Sequence, residues 1–190
     1  MPLPLDPRQP DDVLLARAAR GDRGAFEAFY DRHAAGIMAF VAHLLGDRTL
    51  AQDATQEAFV RAWRSAGRFH AGAPAEPWLF RIARRCAYDL RARRGPRRLD
   101  DGRILEDPDR GAPQGSARDP EPTGDPGLAA RVRAAVDALS DTVREAFVLV
   151  RLCGRSQDET AQLLDVPVGT VKSRVAAAEA SLRTALGDLA

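Results

Sequence analysis

Apolar residues between positions 11 and 94 recur at three- and four-residue spacing, the period of amphipathic helices. Asp11 or Asp12 is placed to cap a short helix from Val13 to Arg20, which Gly21 ends. Asp22 then caps a longer helix carrying Phe26, Phe29, Tyr30, Ile37, Phe40, Val41, Leu44 and Leu45, and Gly46 stops it. A third helix is expected from Thr49 to about Ala66. Gly67 to Pro77 reads as a loop with two glycines and two prolines. A fourth helix follows from Pro77 to Arg94, with Gly95-Pro96 as its stop. No strand-like alternation interrupts this block, and four helices of such length can close around a small core.

The pattern then changes. Residues 95–127 hold six prolines and six glycines, with few apolar residues beyond Leu99, Ile104 and Leu105. That composition predicts a flexible linker. Helical periodicity returns from Leu128 to Ala190. The expected fold is therefore all-α, with two small helical domains joined by a flexible acidic linker. The boundaries are an N-terminal tail at 1–10, a helical domain at 11–95, the linker at 96–127 and a second helical domain at 128–190.

A net charge of +1 hides an uneven distribution. Residues 1–95 carry 15 Arg against 11 acids, residues 96–127 carry 5 Arg against 8, and residues 128–190 carry 8 basic residues against 8. Eight arginines and a single acid, Asp89, fall within residues 81–98. Such a cluster is either an electrostatic footprint for a polyanion or a solvated face. At 100° per residue, Trp78, Leu79, Ile82, Ala83, Cys86 and Leu90 share one arc of the fourth helix. Arg81, Arg84, Arg85, Tyr88 and Arg91 lie on the opposite arc. Arginines interleaved with an aromatic ring suit single-stranded nucleic acid, where guanidinium groups hold phosphates and a ring receives a base; a plain surface tyrosine is the alternative. Asp89 lies in i,i+4 reach of Arg85 and Arg93 and is read as orienting them.

Residues 156–183 have the outline of a helix-turn-helix. Ala161 is the small residue where two helices cross, Asp165 occupies the turn, and Val171 is the apolar anchor of the second helix. Glycine is the usual turn residue because it enters the left-handed region freely; Asp tolerates that region better than most. Pro167 can begin the second helix, leaving Gly169, Thr170, Lys172, Ser173 and Arg174 near its N-terminal end. That end of a recognition helix enters the major groove. An ordinary helical hairpin is the bland alternative.

Other chemistry finds little support. His33, His43, His70, Cys86 and Cys153 have no metal-ligand spacing, and no glycine-rich phosphate loop is present. Neither catalysis nor a metal or cofactor is expected. Two distant cysteines point to a reducing compartment, and no stretch has the length of a membrane span. The N-terminus lacks the pattern of a secretory signal, so a cytoplasmic protein without membrane contact of its own is expected.

Several segments carry a family resemblance. Val168-Gly-Thr-Val-Lys-Ser-Arg174 resembles the region 4 motif of bacterial RNA polymerase sigma factors, particularly the extracytoplasmic-function (ECF) group, and Leu139 to Leu149 looks like the helix preceding it. Gly21 to Tyr30 is similar to the opening of region 2, Asp53 to Trp63 to its polymerase-binding segment, and Trp78 to Arg84 with Asp89-Leu-Arg91 to its promoter-melting helix. Arg85 stands where the family often has Asn, and Ala177 and Glu179 stand where it often has Arg. The resemblance implies a sigma factor that binds core polymerase through its β′ clamp helices and β subunit and directs initiation at promoter DNA. It implies −10 contacts from Arg68, Arg81, Arg84, Arg85, Tyr88, Arg91, Arg93 and Arg94, with base capture by the loop from Arg68 to Ala75. It implies −35 contacts from Gly169, Thr170, Lys172, Ser173 and Arg174, and polymerase contacts from Asp53, Gln56, Glu57, Val60, Arg61 and Arg64. An anti-sigma factor is a further implied partner, and the free protein is expected to be a monomer. The linker acids Asp100, Asp101, Glu106, Asp107 and Asp109 either mimic nucleic acid near the RNA exit channel or belong to a plain tether. A stand-alone helix-turn-helix regulator acting without polymerase is the competing function.

Overall fold

The computed structural model describes residues 9–70, 72–94 and 126–187, all helices, turns and connecting loops. The helices are α1 (Asp11–Ala18), α2 (Arg23–Leu45), α3 (Arg48–Ser65), α4 (Ala75–Arg94), α5 (Pro126–Asp137), α6 (Asp141–Phe147), α7 (Gln157–Leu164) and α8 (Val168–Leu186). The expected linker, including its acids from Asp100 to Asp109, lies outside the described residues apart from the first turn of α5.

Local chemistry sets the boundaries. The Asp22 carboxylate accepts from the Ala25 N–H at 3.1 Å and opens α2, while Gly46 closes it in the left-handed region at φ 61°. Asp47 caps α3 through the Leu50 N–H at 3.0 Å, so that helix starts one residue before the expected Thr49. Helix α4 also starts earlier than expected, at Ala75, so Pro77 lies within its first turn, where a missing N–H costs nothing. The cap expected for α1 is not formed by Asp11, which is already helical. Its carboxylate instead holds His33 Nε2 at 2.8 Å and the Arg32 guanidinium, tying α1 to α2. Burial alone would raise that carboxyl's pKa, but His33 and Arg32 hold it below the usual range.

Helices α1 to α4 pack around Leu14, Leu15, Phe29, Ile37, Phe40, Val41, Leu44 and Leu79, all at most 1 % exposed. Alanines at 51, 54, 58 and 62 line the buried side of α3 and bring it close to its neighbours. In the C-terminal half, α6 runs on into a wider π turn, Val148–Leu152, in which the Cys153 N–H reaches back to the Val148 carbonyl at 2.8 Å. The buried Arg144 side chain donates to the carbonyls of Val136 (3.0 Å), Leu139 (2.8 Å) and Asp137, closing the end of α5.

The two halves are not held apart. Their buried residues form one continuous cluster from Leu14 to Val175, and α4 packs on α7 as well as on α2 and α3.

Candidate nucleic-acid interface

The helix-turn-helix is built as its composition requires. Ser156 and Glu159 form a reciprocal capping box at the start of α7, with the Glu159 N–H donating to Ser156 Oγ at 3.1 Å and the Ser156 N–H to Glu159 Oε2 at 2.8 Å. Asp165 ends α7 at φ 55° and ψ 51°, and the Val166 N–H returns to the Ala161 carbonyl at 3.0 Å. Val171 and Val175 are buried beneath the turn. Pro167 caps α8 from just outside, and the helix begins at Val168. Gly169, Lys172 and Ser173 are exposed at its N-terminal end, with Thr170 and Arg174 half-buried beside them. All five expected −35 residues therefore share the first two turns of α8. Further along, Glu179 pairs with Arg151 of the π turn, whose Nε donates at 2.7 Å, so the back half of α8 presents no net positive charge.

Helix α4 divides the expected −10 residues. Arg81, Arg85, Arg93 and Arg94 are exposed, as is Arg68 on the short 3-10 turn after α3. Arg94 reaches Asp47 at 2.7 Å. Phe69 stacks edge-on against Trp78 with centroids 5.2 Å apart, anchoring the loop before α4. Arg84, Tyr88 and Arg91, expected on a free arc, lie against α6 instead. The Tyr88 hydroxyl donates to Glu145 Oε1 at 2.7 Å, Arg84 to Glu145 Oε2 at 3.2 Å, and Arg91 to Asp141 Oδ1 at 2.5 Å. The Arg91 guanidinium also lies 4.9 Å from the Tyr88 ring centroid. Burial, with Glu145 beside it, pushes the Tyr88 phenol far above its usual range, so the hydroxyl keeps its proton and donates. Asp89 orients neither Arg85 nor Arg93. It accepts from Arg61 Nη1 at 3.1 Å, across the packed face between α3 and α4.

On α3, Asp53, Gln56, Val60 and Arg64 are exposed, whereas Glu57 and Arg61 pair with each other at 2.7 Å. Between α2 and α3 lies an open groove of about 760 Å³ lined by Phe26, Tyr30, Met38, Phe59, Val60 and Trp63 on its apolar side and by Arg48, Gln52, Thr55 and Gln56 on its polar side. Tyr30 and Val60 remain 43 % and 36 % exposed. Periodicity places Tyr30 only among the apolar members of its helix and does not single out this groove; the available signal was that Phe26 with Tyr30 and Phe59 with Trp63 form i,i+4 aromatic pairs on both helices. Cys86 is fully buried and burial raises its thiol pKa, an inert setting; the half-buried Cys153 is shifted the same way.

Residues 29–97 match the family model for Sigma-70 region 2, and residues 129–182 match that for Sigma-70, region 4. The chain is 32 % identical over 185 residues to the ECF RNA polymerase sigma factor SigK of Mycobacterium ulcerans, covering 95 % of this chain and 96 % of the relative. It belongs to the ECF group of bacterial sigma factors. This sigma factor is also 30 % identical over 186 residues to the RNA polymerase sigma-H factor of Pseudomonas aeruginosa, at 96 % coverage of both. Its fold is similar to the sigma factor RpoE of Bartonella quintana, solved with the anti-sigma factor NepR, at TM-score 0.58 and 28 % identity, covering 85 % of this chain and 96 % of the other. As a sigma factor it directs RNA polymerase to promoters, and the stand-alone regulator is not favoured. No helix among the described residues is long and apolar enough to cross a membrane.

Proposed function

We propose that this sigma factor reads promoters with two separate surfaces and docks on polymerase with a third. The first two turns of α8, through Gly169, Thr170, Lys172, Ser173 and Arg174, enter the major groove of the −35 element. The basic face of α4, with Arg68, Arg81, Arg84, Arg85, Tyr88, Arg91, Arg93 and Arg94, grips and separates the −10 element. The exposed side of α3, continuous with the aromatic groove to α2, receives the β′ clamp helices, and the C-terminal domain meets the β subunit. The reading is carried by one observation: an arginine-rich helix inside the region 2 match and a complete helix-turn-helix inside the region 4 match occur in one chain. The protein is a monomer when free, acts in the cytoplasm where the chromosome is, and catalyses nothing itself. Because a fold relative was solved with an anti-sigma factor, an inhibitor of that kind is a partner to seek here.

Overexpression followed by mapping of transcription starts tests this directly. The expected result is a set of starts sharing two spaced elements, reproduced by core polymerase plus this protein alone. Tight duplex binding by the free protein, with no polymerase-dependent transcription, would overturn it.

A further inference from the structure

Arg61 lies among the α3 residues expected to meet polymerase, yet its guanidinium is committed within the protein. Nε donates to Glu57 Oε1 at 2.7 Å, and Nη1 donates to Asp89 Oδ2 of α4 at 3.1 Å. The Arg61 side chain is 32 % exposed, so little of it is left to offer a partner. Asp89 is the single acid of α4 beyond its first turn, and it has an arginine one turn away on each side. Those two, Arg85 and Arg93, are exposed. Among the described residues neither side chain makes a hydrogen bond or an ion pair. Arg93 is the stronger local competitor for the carboxylate, because an acid N-terminal to its base at i,i+4 is the better order on a helix. Arg61 nevertheless takes it from another helix. A guanidinium already held by Glu57 loses less freedom on binding a second carboxylate than a loose side chain does.

We propose that Arg61 is a positioning residue for the DNA face and not a contact to polymerase: by holding Asp89 against α3, it leaves the guanidinium groups of Arg85 and Arg93 to strand phosphates. This rests on the assignment of the α4 face to −10 DNA. Without Arg61, the Asp89 carboxylate turns to Arg93 or Arg85 and competes with phosphate for that arginine. Glu57 supports the arrangement from α3, where its described bond is to Arg61 alone.

The full-length chain tests this with a labelled single-stranded DNA of mixed sequence, followed by fluorescence anisotropy at several salt concentrations. Arg61→Met should weaken binding roughly threefold, the size of a partly exposed ion pair. It should also lower the slope of log K against log salt by about 0.7, the share of one phosphate on a single strand. Asp89→Asn added to Arg61→Met should restore both. Glu57→Gln added to Arg61→Met gives the same net charge and should restore neither, which separates the arrangement from bulk electrostatics. Arg61→Lys guards against a folding defect: it keeps the charge and the stem but lacks the guanidinium fork. Its binding should fall part of the way, and Asp89→Asn should again restore it. Arg61→Met should associate with core polymerase as the wild type does. Strand binding unchanged in Arg61→Met, equal rescue by the two second changes, or a loss of polymerase binding that Asp89→Asn does not restore overturns the proposal. Arg85→Ala with Arg93→Ala checks the α4 assignment separately. It should lower the slope by about 1.4, two phosphates, and leave Arg61→Met with no further effect. No change in that double variant overturns the α4 assignment and the role of Arg61 with it. A loss there, with none in Arg61→Met, overturns the role of Arg61 alone.

Discussion

Asp165 occupies the left-handed region, with φ 55° and ψ 51°, at the turn between α7 and α8, and is the single non-glycine residue with positive φ among those described. Most L-residues pay a steric penalty there because Cβ crowds the following carbonyl, and Asp and Asn pay less than β-branched residues. The exposed carboxylate makes this tolerable, and the α8 geometry depends on it. Asp165→Val should cost about 1–2 kcal/mol of stability, whereas Asp165→Gly should be neutral to stabilising. Urea denaturation followed by circular dichroism checks both, and a Val variant as stable as wild type would show that the turn has another solution.

At the scale of the element, the two proposed DNA surfaces on α8 and α4 differ in charge. The C-terminal half is electrically neutral over residues 128–190, and Glu179 is paired with Arg151, so Lys172 is the lone lysine of the chain and stands at the groove-entering end. Each phosphate neutralised contributes about 0.9 to the slope of log K against log salt. Lys172→Ala should lower that slope by about one in −35 duplex binding by the holoenzyme, uniformly across sequences. A change confined to particular promoter sequences would instead place Lys172 on a base edge. Helix α4 shows where periodicity reaches its limit. Leu79, Ala83 and Cys86 are buried as the apolar arc requires, but Phe80 and Ala87 are buried too, and Tyr88 is half-buried. A helix contacted on two sides buries a wider arc than one that covers a single core: Phe80 packs on Phe40 of α2 with ring centroids 5.2 Å apart, while Tyr88 is covered by Glu145 of α6.

For the whole molecule, the surface proposed for polymerase and those proposed for DNA fall on different elements. The aromatic groove between α2 and α3 is open, and Val60 at its edge is exposed enough that a charge there leaves the core untouched. Val60→Glu should weaken association with core polymerase by about 2 kcal/mol, roughly thirtyfold in Kd, as expected for a central contact on an apolar interface. Its melting curve should match the wild type. A variant that binds polymerase normally would move the docking surface off this groove.

Much of this was legible along the chain because it is settled by near neighbours. The 3.6-residue period, Asp22 and Gly46 at the ends of α2 and the left-handed Asp165 act within a few residues, and their physics is the same in any surroundings. The resemblance of the motifs added the family, and the matches to regions 2 and 4 bear it out. Pairing of charges across long separations was not legible. Arg61 with Asp89, Arg84 and Tyr88 with Glu145, and Arg155 with Glu76 lie 28, 61, 57 and 79 residues apart. A periodic pattern says which face of a helix is polar, but not whether water, DNA or another helix will meet it. The sequence alone therefore determined the helices, the turn that aims α8 and the arginine-rich face of α4. Only the tertiary structure decided that part of that face is covered by the acids of α6, since docking is set by the shapes of whole domains and no local preference encodes it.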